Sequence, residues 1–438
     1  LKSVAFCTFG CRLNQYDTET IRTLLDEYGG WRSVPFREPA DVYVVNTCSV
    51  TARADATCRK AIRRIHSERP QSAIVVTGCY AQRAPQEIAA LPGVQLIVGA
   101  ANRGEIARKM HHMRPDDLEI AVSPISEASE FVDVAITEMM EHSRAFVKVQ
   151  EGCNESCSFC IVPQTRGASR SRSPESVLAQ VHELLGSGYL EIVLTGVHLG
   201  DYGLDLPTGR RMLAELVRDI LDIPGLKRFR LSSIEPASIT DELIELMAGS
   251  EKFARHFHIP MQSASNTILS RMRRRYTAED FSQLIEKIAK AIPDCGIGTD
   301  VICGFPGESD THFQESFDCL TELPITYLHP FTYSVRPGSA AEAYGDQIPG
   351  DVKKRRTRSL KRLTRDKEQA FRRRHVGQTL PVLLESSRRG GRSRLAGWTD
   401  NYLRVELGEG EAQSAVEDVR IVSLNGEQLL GERLSPVA

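Results

Sequence analysis

Apolar positions recur along the chain with two different periods. In the first 110 residues, the short β-branched runs SVAFCTF, DVYVVN, AIVVTG and LIVG alternate with helix-spaced stretches, DTETIRTLLDEYG, ARADATCRKAIRRIHSER and PQEIAAL. Strand and helix alternating at this length predict a parallel sheet with helices on its faces. Residues 111–143 are polar and acidic with little periodicity, and read as a linker or a variable edge. A second series of strands follows: AFVKVQ, EIVLTG, FRLSSI, HFHIPM, GIGTDVICG and TYLHPFTY. Helical stretches such as PESVLAQVHELLGSG and TAEDFSQLIEKIAKAI separate them, which predicts a full or partial (β/α) barrel. A basic helix spans Lys353 to Arg374. The segments TLPVLLESS, LAGWTDNYLRVEL and AVEDVRIVSLNGEQLLGERL then alternate with Gly-rich turns, as in a small all-β barrel.

The 438 residues are too many for one core, and 41% hydrophobic with 26% charged residues is ordinary for a soluble protein. No apolar run approaches the roughly 18 residues needed to span a bilayer, so no membrane partner is expected. The opening LKSVAFCTFGCRLNQ has no cleavable apolar segment and predicts no secretory signal, hence a cytoplasmic protein. A start at Leu1 points to trimming or an unusual start codon. Eleven cysteines in an unsecreted chain argue against a disulfide framework and for metal or redox chemistry.

Cys153, Cys157 and Cys160 lie in EGCNESCSFCIVPQTRG, a C-x3-C-x2-C loop directly after a predicted strand. Three thiolates can hold three irons of a [4Fe–4S] cube and leave the fourth open. Zinc is the alternative, but structural zinc wants four protein ligands, and no neighbouring Cys or His stands at zinc-finger spacing. A second set, Cys11 in FGCRLNQYDTE, Cys48 in VVNTCSVT and Cys79 in VVTGCYAQ, falls just after three separate strands. In an open parallel sheet all strand C-termini face one crevice, so three distant cysteines can converge there. The alternative is that these are ordinary small buried residues. Cys7 and Cys58 fit no strand end and read as structural; Cys295, Cys303 and Cys319 read as barrel core.

The C-x3-C-x2-C loop after a first barrel strand resembles the radical S-adenosylmethionine (SAM) superfamily. That resemblance implies a cluster whose open iron binds SAM, and reductive cleavage of SAM to a 5'-deoxyadenosyl radical. Other strand ends resemble its SAM-contacting positions: Thr195 and Gly196 in LTGVHLG, Ser232, Ser233 and Glu235 in SSIEP, and Asp300 in TDVICGFPGE. A plain turn and a solvated loop acid are the alternatives for Thr195-Gly196 and Glu235. Joined to the N-terminal GC…NTC…GC pattern and the C-terminal barrel, the loop resembles the methylthiotransferase family over nearly the whole chain. The resemblance implies four segments: 1–115, an N-terminal parallel-sheet α/β domain with an auxiliary cluster; 116–143, a linker; 144–372, a radical SAM (β/α) partial barrel; and 373–438, a TRAM-like, OB-like RNA-binding barrel. Two [4Fe–4S] clusters are implied, one on Cys11, Cys48 and Cys79, the other on Cys153, Cys157 and Cys160. Two SAM molecules serve each turnover, one giving a methyl group to sulfur and one the radical. Asn14, Asp17 and Asn46 match polar motif positions near the auxiliary cluster, although Asp17 could equally cap the following helix.

Within the family, FGCRLNQYDTE, GCYAQ and LTGVHLGDYG resemble the branch acting on N6-threonylcarbamoyladenosine at position 37 of tRNA. The implied partners are the tRNA anticodon loop, an electron donor such as flavodoxin or ferredoxin, and an unidentified sulfur donor. The other branches act on isopentenyladenosine in tRNA or on a ribosomal-protein aspartate, and an iron–sulfur RNA-binding protein without turnover is a third class. Charge favours nucleic acid. Twelve of the 22 residues from Lys353 to Arg374 are Lys or Arg, and Arg388, Arg389, Arg392 and Arg394 form a basic loop. A solvated helix face is the plain alternative. Trp398 and Tyr402 would stack bases or simply pack. RMRRRY, with Arg271, Arg273, Arg274 and Arg275, is a second basic stretch. Arg166 and Arg172 would contact SAM or RNA phosphate. Gln262 would line the cavity, and His258 reads as a hydrogen-bonded core residue.

Overall fold

The computed structural model describes residues 1–114, 117–139, 143–206, 213–389, 392–410 and 415–434, without the side chains of 386–389 and 392. The N-terminal part runs β1 (Lys2–Thr8), α1 (Arg12–Tyr28), β2 (Trp31–Ser33), β3 (Val42–Thr47), α2 (Ala52–Glu68), β4 (Ala73–Gly78), α3 (Cys79–Arg83), α4 (Pro85–Ala89), β5 (Val94–Val98), α5 (Ile106–His112) and β6 (Glu119–Ala121). Its strands form one parallel sheet in the order β2-β1-β3-β4-β5-β6. Every residue of β3 and β4 is buried, as a parallel sheet covered on both faces requires. Alternate side chains divide between two cores. Val4, Val42, Val44 and Val75 pack with Ile21 and Leu25 of α1, whereas Ala5, Tyr43, Val45 and Val76 pack with Cys58, Ile62 and Ile65 of α2. The register sets Thr8 opposite Asn46 and Thr47 opposite Gly78, which levels the strand ends that carry the cysteines.

The central part runs β7 (Ala145–Glu151), α6 (Val162–Arg166), β8 (Arg170–Ser171), α7 (Pro174–Gly186), β9 (Glu191–Gly196), α8 (Leu213–Leu221), β10 (Arg228–Leu231), α9 (Asp241–Gly249), β11 (His256–His258), α10 (Asn266–Arg271), α11 (Ala278–Ala291), β12 (Gly296–Cys303), α12 (Asp310–Glu322) and β13 (Tyr327–Thr332). Two sheets, β10-β9-β7-β8 and β11-β12-β13, are joined by the parallel bridges Phe229–Phe253 and Ser233–His258. Six parallel strands, β7-β9-β10-β11-β12-β13, therefore curve into a partial barrel. Helices enter it through local caps: Thr277 and Asp280 form a capping box at α11, and Ser309 with His312 another at α12.

The long helix α13 (Gly350–Arg374) follows. It buries Leu360 and Leu363 against the barrel core and leads into the strands β14 (Thr379–Arg389), β15 (Arg392–Thr399), β16 (Arg404–Glu409), β17 (Val416–Asn425) and β18 (Gln428–Arg433). These close as β14-β15-β16-β18-β17 around Val382, Leu384, Val405, Val419, Ile421 and Leu429. The turn from Thr399 to Leu403 is seated against the strand starts of the partial barrel. Arg230 donates to the carbonyls of Thr399 (3.2 Å) and Asp400 (3.0 Å), and Arg228 to those of Trp398 (2.8 Å) and Pro381 (2.9 Å). A Cβ on Gly296 would lie 2.3 Å from the Asn401 carbonyl oxygen, so only glycine allows this approach.

Candidate active site

Each cysteine triad sits where a strand ends. Cys153 follows β7, and its loop is pinned on both sides: the Cys153 amide donates to the Gly167 carbonyl (3.0 Å), and the Ser158 amide and hydroxyl donate to the carbonyls of Met272 (3.1 Å) and Arg271 (2.8 Å). Gly152 has φ +77, and a Cβ there would meet the Ala168 carbonyl oxygen at 1.8 Å. All three sulfurs receive donors. The Glu155 amide lies 3.4 Å from Cys153 Sγ, the Val162 amide 3.4 Å from Cys160 Sγ, and Arg274 Nη1 3.2 Å from Cys157 Sγ. Burial pushes Cys153 up to about 11 and Cys160 to about 12, so both hold their protons at neutral pH and would release them on binding a metal. Three thiolates with N–H donors aimed at them fit the ligand set of a [4Fe–4S] cluster with one open iron.

The N-terminal triad also converges. Cys11 caps the start of α1, Cys48 follows β3, and Cys79 begins α3. Burial raises the Cys48 thiol to about 12, with Cys79 and Cys11 adding to the rise, which puts the three within electrostatic reach of one another. Cys11 stands at the exposed start of α1; burial of its thiol raises the pKa, and Arg166 with the amides of Asn14 and Leu13 acts in the opposite direction. A Cβ on Gly10 (φ +102) would meet Cys48 Cβ at 2.8 Å, so the Gly-Cys order lets the two cysteine-bearing loops touch.

A buried charge network locks the two halves of this cleft together. Asp17 on α1 faces Lys148 (2.7 Å), Arg166 (2.9 Å) and Arg103 (3.0 Å). Glu151 at the end of β7 faces Arg166 (2.7 Å), Lys148 (2.9 Å) and Arg103 (3.4 Å). Arg166 also donates to Asn14 Oδ1 (2.6 Å). Burial pulls Arg166 down, but Cys79, Asp17, Glu151 and Cys11 hold it well above the ordinary guanidinium value. Two acids against three bases leave the network one positive charge in excess, beside thiolates that need it. A second tie joins Arg336 to Asp55 (2.5 Å) and Ser49 (3.0 Å). Between the halves lies a cavity of about 200 Å³, lined by Val50 and Thr51 just beyond Cys48, by Cys160, and by Gln262, Asp300 and Tyr333 of the barrel.

Several sequence-derived expectations take a different form. Asp17 does not cap α1, whose first residue is Arg12; it lies in the second turn and serves the charge network. Arg166 and Arg172 do not face a phosphate. Both are buried, the second against Tyr16 (3.2 Å), Ser176 (3.0 Å) and Asp133 (2.6 Å). Arg274 turns inward to Cys157 and Glu235 instead of lying on an exposed basic stretch, and Arg271 pairs with Asp346. The side chains of Arg388, Arg389 and Arg392 lie outside the described residues. Asn14 donates to the Phe9 (2.6 Å) and Thr47 (3.1 Å) carbonyls, and Asn46 to the Asn14 carbonyl (2.8 Å), so both brace the cysteine loops. Thr195 and Ser232 are buried at or just beyond the ends of β9 and β10; Gly196 packs on Gln150 and Leu199, and Ser233 is exposed. Asp300 is engaged by His258 and lines the cavity with Gln262, which has a φ of 66 and whose backbone N–H donates to the Asp300 carbonyl (2.8 Å). Lys148, Glu151 and Arg103 escaped the sequence reading. Their signal was there: Lys148, Gln150 and Glu151 are polar residues in a central parallel strand that ought to be apolar throughout.

A partial barrel of parallel strands with a three-cysteine loop behind its first strand defines a radical SAM enzyme. The pattern of the Radical SAM superfamily matches residues 147–320, and that of the uncharacterized protein family UPF0004 residues 3–99. The threonylcarbamoyladenosine tRNA methylthiotransferase MtaB of Bacillus subtilis is 40% identical over 410 residues, 92% of this chain and 90% of its own. The tRNA-2-methylthio-N(6)-dimethylallyladenosine synthase of Clostridium botulinum is 32% identical over 98% of this chain and 96% of its own. The fold resembles the radical SAM methyltransferase TsrM of Kitasatospora setae (TM-score 0.57, 15% identity, 76% and 75% of the two chains). The chain belongs to the radical SAM methylthiotransferase family, whose cofactors are SAM and [4Fe–4S] clusters.

Proposed function

We propose that this enzyme methylthiolates C2 of N6-threonylcarbamoyladenosine at position 37 of tRNA. Cys153, Cys157 and Cys160 hold the cluster that meets SAM, and Cys11, Cys48 and Cys79 hold the auxiliary one. When bound, these groups supply the electron, the hydrogen-abstracting radical and the carrier for sulfur. The protein contributes placement. Arg274 and the loop amides neutralise sulfur charge in the first triad, and Arg166 does so for the second while fixing the distance between the two domains. Thr195, Gly196, Ser232, Ser233 and Glu235 surround SAM at the strand ends, and Asp300, which the sequence groups with them, is held by His258 on the cavity wall.

The observation that carries the reading is the cavity in which Cys160 and the residues beyond Cys48 share one wall. Chemistry started at one triad reaches a target held against the other. Identity reaches 40% with MtaB relatives against 32% with the dimethylallyladenosine synthase, which supports that nucleoside over the dimethylallyl one. The RNA is the tRNA anticodon loop, the reductant is a flavodoxin or ferredoxin, and the compartment is the cytoplasm. No helix among the described residues is long and apolar enough to cross a membrane.

The test is mass spectrometry of tRNA nucleosides from a deletion strain carrying no second such gene. The 2-methylthio derivative of N6-threonylcarbamoyladenosine should vanish and return with the wild-type gene but not with Cys48→Ala. The purified Cys48→Ala protein should still release 5'-deoxyadenosine from SAM under dithionite. Persistence of the modified nucleoside in the deletion strain would overturn the substrate.

A further inference from the structure

Three polar side chains form a band across the inner wall of the barrel, below the cysteine cavity. Asp300 and His329 stand directly opposite each other in the β12–β13 register, and His258 ends the neighbouring strand. His258 Nε2 lies 2.9 Å and His329 Nδ1 3.4 Å from the same oxygen, Asp300 Oδ1. The other His258 nitrogen shares a hydrogen bond with the Tyr327 hydroxyl (3.1 Å), which is also bonded to His256 (2.8 Å). The band stands at a junction. Asp300 lines the cavity between the cysteine triads, while His329 and Tyr327 line a second cavity of about 410 Å³ bounded by Arg372 of α13 and by Trp398, Tyr402 and Arg404 of the C-terminal barrel. The Asp300–His329 pair therefore stands between the two cavities, with Asp300 on the wall of one and His329 on the wall of the other.

The donor atoms of the three residues lie within 4.8 Å of one another. That spacing also suits a metal ion, but both imidazoles already converge on one carboxylate oxygen as hydrogen-bonding groups do. The arrangement leaves His329, whose side chain is 56% exposed, and Asp300, at 23%, accessible to whatever fills the space. An apolar group placed there strips water from a carboxylate and two imidazoles and returns nothing. A group with its own hydroxyl and carboxylate satisfies them.

We infer that His258, Asp300 and His329 form the specificity site that reads the N6 substituent, accepting the hydroxy-acid end of a threonylcarbamoyl group and rejecting a dimethylallyl group. His329 donates to the substituent carboxylate, Asp300 accepts its hydroxyl, and His258, held by Tyr327, keeps Asp300 in place. This rests on the proposed function, since it specifies how that nucleoside is distinguished. Sites that hydrogen-bond a substrate reject analogues lacking the group far more strongly than apolar pockets reject an extra one.

The experiment compares two synthetic anticodon hairpins, identical except for a threonylcarbamoyl or a dimethylallyl group on N6, as substrates of the cluster-loaded enzyme. Wild type should prefer the first hairpin. In His329→Leu the ratio of kcat/KM values, first over second, should fall roughly tenfold or more, chiefly through KM for the first. His329→Gln, which keeps a donor, should recover part of it. A folding defect lowers both rates and leaves the ratio alone, so the ratio isolates recognition. A ratio within about twofold of wild type in both variants overturns the inference while the substrate assignment stands. A wild-type enzyme that modifies only the dimethylallyl hairpin overturns both. One zinc or manganese ion per chain, lost in His329→Gln, would replace the inference with a cation site.

Discussion

Arg274 concentrates several roles in one side chain. Its guanidinium donates to Cys157 Sγ, pairs with Glu235 and covers the Tyr276 ring at 5.0 Å. Burial alone pulls its protonated form down, yet Tyr276 and Cys157 hold it above the ordinary value, so it stays charged at every relevant pH. A cation and an N–H donor at a cluster sulfur favour the reduced, more negative state. Arg274→Leu should therefore lower the midpoint potential of the cluster proposed for Cys153, Cys157 and Cys160, read by a redox titration followed by electron paramagnetic resonance. Arg274→Lys should recover part of the shift, and an unchanged potential in the leucine variant would remove the arginine from cluster tuning. At this scale the sequence was legible where a residue type is chemically restricted. Cysteines after strands announced themselves. Arg274 did not, because an arginine among arginines carries no mark of which one folds inward; that depends on the tertiary position of Cys157, over a hundred residues away.

Among the elements, α13 shows how a charge run divides between structure and surface. Arg356 is buried, donates to Glu308 (2.6 Å) and reaches Asp310 (2.7 Å); Lys367 donates to the Leu323 carbonyl (2.8 Å). Lys354, Arg358, Lys361 and Arg365 are exposed and recur every three or four residues, so they form a stripe down one side, with the exposed Arg362 beside it. These exposed cations are available to phosphates. Replacing Lys361, Arg362 and Arg365 by alanine should weaken RNA binding and flatten the slope of log affinity against log salt by about 2 to 3, at roughly 0.7 to 0.9 per lost contact. Filter binding at several salt concentrations measures it. An unaltered slope would reduce the stripe to a solvated face. The basic helix and its partition were half legible: the 3.6-residue period gives the apolar side from Leu360, Leu363 and Phe371, but Arg356 is a cation on that same side, and only Glu308 explains it.

Across the whole molecule, the junction between the two barrels depends on one acid. Glu191 at the start of β9 is buried between Arg230 (2.8 Å) and Arg228 (3.3 Å), the arginines that grip the C-terminal barrel. Burial raises its pKa, but the two arginines outweigh it and depress the value from 4.5 to about 2. A depressed folded value contributes stability that is complete above the unfolded value and is lost as pH falls toward the folded one. Urea midpoints should therefore drop between about pH 4.5 and 2 in wild type, and less steeply in Glu191→Gln. At neutral pH that variant, with two buried arginines lacking their counter-charge, should be about 3 to 5 kcal/mol less stable. Equal midpoints at pH 7 would show that the carbonyl acceptors suffice. The three-part architecture could be read from strand and helix alternation, whereas this junction could not, since no local pattern in EIVLTG or FRLSSI says that its charged residues face another domain.

The seating of the Thr399–Leu403 turn reaches further than stability. Arg255 clasps Asp400 (2.6 Å), Asn401 bonds the Asp294 carbonyl (3.1 Å), and Arg12, next to Cys11, donates to the Tyr402 hydroxyl (3.0 Å). One loop of the C-terminal barrel is thus keyed at once into the base of the partial barrel and into Arg12, the neighbour of Cys11. Under the proposed function such a mount would work as a machinist's jig: the gap from phosphate grip to reacting atom would be cut into the scaffold before any RNA arrives, and a hairpin would be measured against it instead of the enzyme searching for the right base.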